Sequence, residues 1–260
     1  MFEMIPKKIH YFWFGGNDKT KLALECIESW KKYCPDYEII EWNEKNYDIH
    51  KNKYMEQAYN SKRWGFVPDY ARLDVIYEHG GIYFDTDVEV IKPLDELLCD
   101  DGFIGFEKNP DSKNQKYYVN AGQGFGATKH HPIIKKMKDK YETLLFCENG
   151  NENLTTSPYY NTESLIELGL KQDNKYQNLN GFKVYPSDYF CPINWKTKEL
   201  NKSENTYSIH YFNASWLSDM EKKKRKKERM LDYIIHVPNM ILMKMIGKEM
   251  YNKLKRLIKG

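Results

Sequence analysis

Residues 68–87 read PDYARLDVIYEHGGIYFDTD, and this stretch decides the fold. Proline loses no hydrogen bond at the first turn of a helix and its φ is already helical, so Pro68 predicts a helix start. The helix should run to about Glu78 and stop at Gly80-Gly81, since glycine adopts the backbone that ends helices. Ile82 to Phe84 then reads as a short strand, finishing in Asp85-Thr86-Asp87. Working outward, Lys8 to Phe14 predicts a strand, Lys19 to Tyr33 an amphipathic helix, Tyr37 to Trp42 a second strand, and Lys53 to Lys62 a weaker helix. This βαβα rhythm predicts an α/β domain with a mixed, mostly parallel sheet, whose ligand crevice lies beyond the carboxyl ends of its strands. Asp85 and Asp87 stand at such an end.

The remaining composition is that of a globular enzyme-sized chain: 260 residues, 41% hydrophobic, 15% aromatic and a formal charge of +3. Disordered, collagen-like, coiled-coil and multi-span membrane classes are excluded on these figures. Twenty-one tyrosines and six tryptophans suit sugar or nucleotide surfaces as well as a plain core. Five scattered cysteines without a CxxC pair read as reduced thiols, and the N-terminus lacks a signal-peptide pattern, so a cytoplasmic address is expected. No run of about 18 apolar residues would cross a bilayer.

Charge is unevenly spread. Residues 221–260 hold 13 Lys and Arg against four acids, a charge of +9 that leaves residues 1–220 at −6. The boundary divides a catalytic domain, 1–220, from a basic C-terminal segment, 221–260, in which KKKRKKER (222–229) precedes Met and Ile residues broken by Pro238 and Gly247. Docking on an anionic membrane surface is expected of such a segment; a solvated helical pair is the plainer reading. No nucleic-acid recognition motif accompanies the basic run, and no nucleic-acid partner is expected.

A DxD triplet is frequent by chance, so its position carries the weight. Two carboxylates at a strand's end are costly unless a cation neutralises them, which points to Mg2+ or Mn2+, while a solvated turn would serve without one. On an extended chain they lie roughly 6–7 Å apart. One is therefore expected to bind metal directly and the other through water or a ribose hydroxyl. Asp69 and Arg72 are three apart on the predicted helix and share a face. They form either a local ion pair or a group that accepts sugar hydroxyls and contacts a diphosphate.

The segments IPKKIHYFWFGG, SWKKYCPDYEIIEWNE, FVPDYARLDVIYEHGGIYFDTDVEVIKPLDELL and TYSIHYFNASWLS together resemble the DxD-containing sugar-transferase family of bacterial capsule-type glycosyltransferases. That family, family 32-like, is related to initiating mannosyltransferases, α1,4-galactosyltransferases and clostridial glucosylating toxins. The resemblance covers about residues 4–218 and is strongest from Ile5 to Leu98. It implies a GT-A type, Rossmann-like nucleotide-sugar-binding domain, a divalent metal, and transfer with retention from a UDP-sugar, galactose being favoured, to a glycan acceptor. The acceptor would be lipid-linked and used in capsular or other surface polysaccharide synthesis at the inner face of the cell membrane.

Carried over by position, the resemblance implies that Trp13 stacks on the donor base, where a core aromatic is the alternative. Asp69 and Arg72 would hold donor sugar and phosphate. Asp85 would meet ribose or the metal's water, and Asp87 would ligate the metal. His210 would be a further ligand or a hydrogen-bonded structural histidine. Trp216 would cap the sugar, and Asn120, in YVNAGQGFGATKHHP, would line the donor and acceptor site. Pro68 and Asp74 depart from the family pattern, which usually has a small hydroxyl residue and an apolar one there. Competing readings are a metal-dependent nucleotide-sugar or glycoside hydrolase, separated by release of free sugar, and an inactive glycan-binding membrane adaptor, separated by donor binding without turnover.

Overall fold

The computed structural model describes residues 4–108, 115–195 and 198–213, together with 246, 247, 249, 250 and 253. The chain separates into units 1–216 and 217–260, and the description below concerns the first. The basic run 222–229, Trp216 and nearly all of the proposed tail lie outside the described residues.

Thr20 accepts from the Ala23 N–H and so caps α1 (Lys21–Tyr33), which starts two residues later than the apolar pattern predicts. It connects β1 (Lys8–Phe12) to β2 (Glu38–Trp42). Next come α2 (Lys53–Asn60), α3 (Pro68–His79), β3 (Gly81–Tyr83) and β4 (Val88–Val90). They are followed by β5 (Gly102–Gly105), β6 (Phe125–Ala127) and α4 (Pro132–Asp139). A short hairpin, β7 (Cys147–Glu148) and β8 (Asn151–Glu152), precedes α5 (Ser157–Ile166). Finally β9 (Gln177–Leu179), β10 (Phe182–Tyr185) and β11 (Ser208–His210) complete the described part.

Among the described residues the main sheet has seven strands in the order β2-β1-β3-β6-β5-β10-β9. Strands β2, β1, β3, β5 and β10 share one direction, while β6 and β9 run against it. The first strand ends at Phe12 instead of Phe14, because Gly15 and Gly16 at positive φ turn the chain there. Period-two alternation divides the core into two faces. Tyr83 packs with α2 to α5 on one side, and Ile82 and Phe84 pack with Trp30 of α1 on the other.

The helix-to-strand junction depends on glycine. Gly80 has φ +64° and Gly81 φ +105°, and a Cβ on Gly81 would come within 2.9 Å of the Lys8 carbonyl and 3.0 Å of the His10 ring. Gly80 in turn accepts from His10 Nε2 at 2.9 Å, while His10 Nδ1 accepts from the Trp42 indole at 3.0 Å. His10 is therefore a neutral, doubly bonded core group that ties β1 and β2 to the end of α3. Burial pushes its pKa down to about 4.

Candidate active site

After β3 the backbone does not stay extended. The Val88 N–H donates to the Asp85 carbonyl at 3.1 Å, and this turn swings the two carboxylates of the DxD toward each other. The second short sheet supplies a third group: β11 pairs antiparallel with β4, with His210 opposite Val88. One ligand atom each from Asp85, Asp87 and His210 fall within 4.8 Å of one another. The turn thus brings the two carboxylates closer than the roughly 6–7 Å expected of an extended chain.

The donor set fits a divalent ion. Two carboxylates and an imidazole match the hard-to-borderline preference of Mn2+ or Mg2+. The buried Nδ1 of His210 has no hydrogen-bond partner among the described residues, while its Nε2 lies 3.3 Å from Asp87 Oδ1. Burial opposes protonation of His210, but Asp87, Asp85 and Glu107 around it raise its pKa above the usual value. Burial likewise opposes the charge on Asp87, and His210 with the Asn213 N–H, 2.7 Å away, holds its pKa below the usual value.

Beside this cluster α3 presents its first turn. Arg72 donates to Asp69 Oδ1 at 3.0 Å and to the Pro68 carbonyl at 3.0 Å, and it lies 3.6 Å from Asp85 Oδ1. Its guanidinium also covers the Tyr83 ring, whose hydroxyl donates to Asp85 at 2.8 Å. Burial works against the Arg72 charge, but Asp85, Tyr83 and Asp69 more than offset it and hold the pKa above normal. Burial pushes Asp69 up to about 7, against the pull of Arg72 and of Ser157 at the start of α5. Asp69 and Arg72 are therefore a buried pair joined to the DxD, and their bond is internal to the site instead of an exposed helix contact.

The loop before β6 closes the arrangement. Asn120 accepts from the Gly122 N–H at 2.6 Å and donates to Glu107 Oε1 at 2.7 Å, and the Gly122 carbonyl accepts from the Asp85 N–H at 2.9 Å. A side chain at Gly122 would overlap Asp85 Oδ2 and come within 2.9 Å of Arg72. Glycine here allows close approach of the loop to the carboxylate.

Trp13 follows β1, the parallel neighbour of β3, and so stands at the same edge of the sheet. It is half-buried, its indole N–H is taken by the Asn17 carbonyl at 2.6 Å, and Lys19 lies 5.9 Å from its ring. What it offers a ligand is its ring surface. The structure thus gathers Asp69, Arg72, Asp85, Asp87, Asn120 and His210, and puts Trp13 on the same carboxyl edge. Trp216 lies outside the described residues. Sequence reading missed Ser157, Tyr83 and Glu107. An acid directly after the apolar strand GFIGF was the available signal for Glu107, whose carboxyl is held above its usual pKa by burial.

Residues 20–104 match the family model described as glycosyltransferase sugar-binding region containing DXD motif. Inositol phosphoceramide mannosyltransferase 1 of Schizosaccharomyces pombe is 27% identical over 143 residues, covering 51% of this chain and 41% of that protein. Inositol phosphoceramide mannosyltransferase 3 of the same yeast is 34% identical over 109 residues, covering 36% and 27%. The chain spans less than half the length of these two relatives. Among solved structures, the PaToxG glycosyltransferase is similar at 22% identity and a TM-score of 0.47, over 64% of this chain and 70% of that one. In this sheet a DxD turn leaves the carboxyl end of β3, whose neighbour β6 runs antiparallel to it. Residues 20–104 are thus similar to the glycosyltransferase sugar-binding region that contains the DXD motif.

Proposed function

We propose that this chain is a metal-dependent, retaining glycosyltransferase that moves a sugar from a UDP-sugar to a lipid-linked glycan acceptor in surface polysaccharide synthesis. The observation that carries the reading is the convergence of Asp85, Asp87 and His210 within 4.8 Å, next to the buried Asp69–Arg72 pair. A divalent ion held by these three groups supplies positive charge for the diphosphate leaving group. Arg72 fixes both Asp69 and Asp85, so sugar and metal groups keep one relative position. Asp69 orients a donor hydroxyl, and Trp13 offers its ring to the base. No side chain of the cluster is assigned as a nucleophile. The acceptor hydroxyl attacks C1 on the face of the departing phosphate: the C1–O(phosphate) bond breaks, the C1–O(acceptor) bond forms, and the acceptor's proton passes to a phosphate oxygen.

Donor hydrolysis across UDP-Gal, UDP-Glc, UDP-GlcNAc, UDP-GalNAc and GDP-Man, with Mn2+ and with EDTA, tests this reading. Turnover of a UDP-sugar with Mn2+ alone is expected. Preference for GDP-Man would move the transferred sugar to mannose, the sugar in the names of the two yeast relatives, and equal turnover in EDTA would remove the metal. Release of free sugar in the presence of every acceptor would favour the hydrolase.

A further inference from the structure

From the segment after β5 we infer that Glu107, Tyr118 and Tyr159 form the subsite for the pyranose that accepts the sugar, a reading that rests on the proposed transferase activity. Phe106 bridges antiparallel to Val119, and the Glu107 N–H donates to the Tyr118 carbonyl at 2.8 Å. Glu107 and Tyr118 are therefore directly opposite, and directly opposed residues send their side chains to the same face. Asn120, two residues on, shares that face, which its 2.7 Å bond to Glu107 Oε1 bears out. Phe106 and Val119 point the other way and are fully buried.

Glu107 is engaged through one oxygen. Among the described residues it has no ion pair and Oε2 has no hydrogen-bond donor, although the residue is half-buried at the carboxyl edge where the metal-ligand cluster lies. That second oxygen is open to a donor as far as the described residues go, and a sugar hydroxyl is a suitable one. Beside it, Tyr118 and Tyr159 lie with ring centroids 6.4 Å apart, and Tyr159 remains 42% exposed. Half-exposed tyrosines next to a carboxylate suit the C–H face and hydroxyl edge of a pyranose. Tyr159 stands in the first turn of α5, two residues after Ser157, whose side chain lies near Asp69. The subsite therefore adjoins the donor side of the crevice, where an acceptor must sit.

The test uses full-length wild type, Glu107→Gln, Glu107→Asp and Tyr159→Ala. It measures transfer from the best donor to octyl α- and β-glucosides, -galactosides and -mannosides, and UDP affinity with Mn2+ by calorimetry. Gln keeps the acceptor atom facing Asn120 and replaces the other carboxylate oxygen by an amide, so acceptor KM should rise at least tenfold while kcat changes less than threefold. Tyr159→Ala should raise KM similarly, and Glu107→Asp should recover part of the loss. UDP affinity should stay within twofold of wild type. An unchanged acceptor KM in both Glu107→Gln and Tyr159→Ala, a parallel fall in UDP affinity, or failure of wild type to use any pyranoside would overturn the subsite with the transferase reading still standing. Wild type that neither binds UDP with Mn2+ nor turns over any donor would overturn both.

Discussion

At the residue scale the site depends on groups that have few tolerable substitutes. Asp87 is held ionised by His210 and the Asn213 N–H, so Asp87→Asn retains the shape and removes the charge a divalent ion needs. UDP affinity measured by calorimetry should then no longer respond to Mn2+, while the melting temperature stays near wild type. Gly122→Ala makes a different point, since its Cβ would overlap Asp85. It should abolish Mn2+-dependent UDP binding without adding or removing a charged group. For Trp13, whose N–H is already bonded to Asn17, replacement by Ala should weaken UDP binding by about 1–3 kcal/mol if the ring stacks on the base. Unchanged affinity in a folded Trp13→Ala variant would return that side chain to the core.

At the scale of elements, α3 and its neighbours explain both what the sequence disclosed and what it hid. Pro68 and the glycine pair marked α3 and β3 because local backbone chemistry alone sets those boundaries. The DxD turn was hidden, since a period-two reading treats every strand end as extended. His210 and Asp87 are 123 positions apart and meet only through β11 pairing with β4, so their contact was accessible through resemblance and not through pattern. Asp74, polar where the family is apolar, has a structural answer: it accepts from Tyr47 at 2.8 Å, Lys51 at 3.0 Å and Lys138 of α4 at 3.2 Å. It thereby fastens α3 to α4 and to the segment before α2. Asp74→Ala leaves the Lys138 ammonium poorly compensated, and urea unfolding should show a loss of about 2–4 kcal/mol. His10 gives the pH dependence. Its folded pKa is near 4 against 6.5, so between these values the unfolded chain binds a proton that the folded one refuses. Its contribution to stability is full above pH 6.5 and is lost as pH falls toward 4. Between pH 7 and 5 wild type should lose about 2 kcal/mol more than His10→Gln in urea unfolding, at about 1.4 kcal/mol per pH unit. His79, stacked on His10 and also lowered by burial, acts in the same sense.

At the scale of the whole molecule, charge is divided unevenly along the chain. Residues 1–220 carry −6 and residues 221–260 carry +9, so an anionic surface attracts the C-terminal segment and repels the rest. Among the described residues no helix is long and apolar enough to cross a membrane, and the proposed docking is argued from the charge of residues 221–260. Each basic residue close to an anionic bilayer contributes about 1 kcal/mol, and salt screens that attraction within about 10 Å at 0.1 M. Several such residues acting together make binding reversible and strongly salt-dependent, which suits the proposed transfer from a soluble donor to a lipid-linked acceptor. Cosedimentation of the full chain with anionic liposomes should therefore be strong at low salt, weak at high salt and absent with neutral lipid. A chain ending at Met220 should stay in the supernatant while keeping donor hydrolysis, because the metal ligands and the Asp69–Arg72 pair all precede that point. Equal sedimentation of the two would place the membrane contact upstream. Absence of sedimentation for both at low salt would leave the basic segment as a solvated helical pair, with the acceptor reaching the crevice from solution.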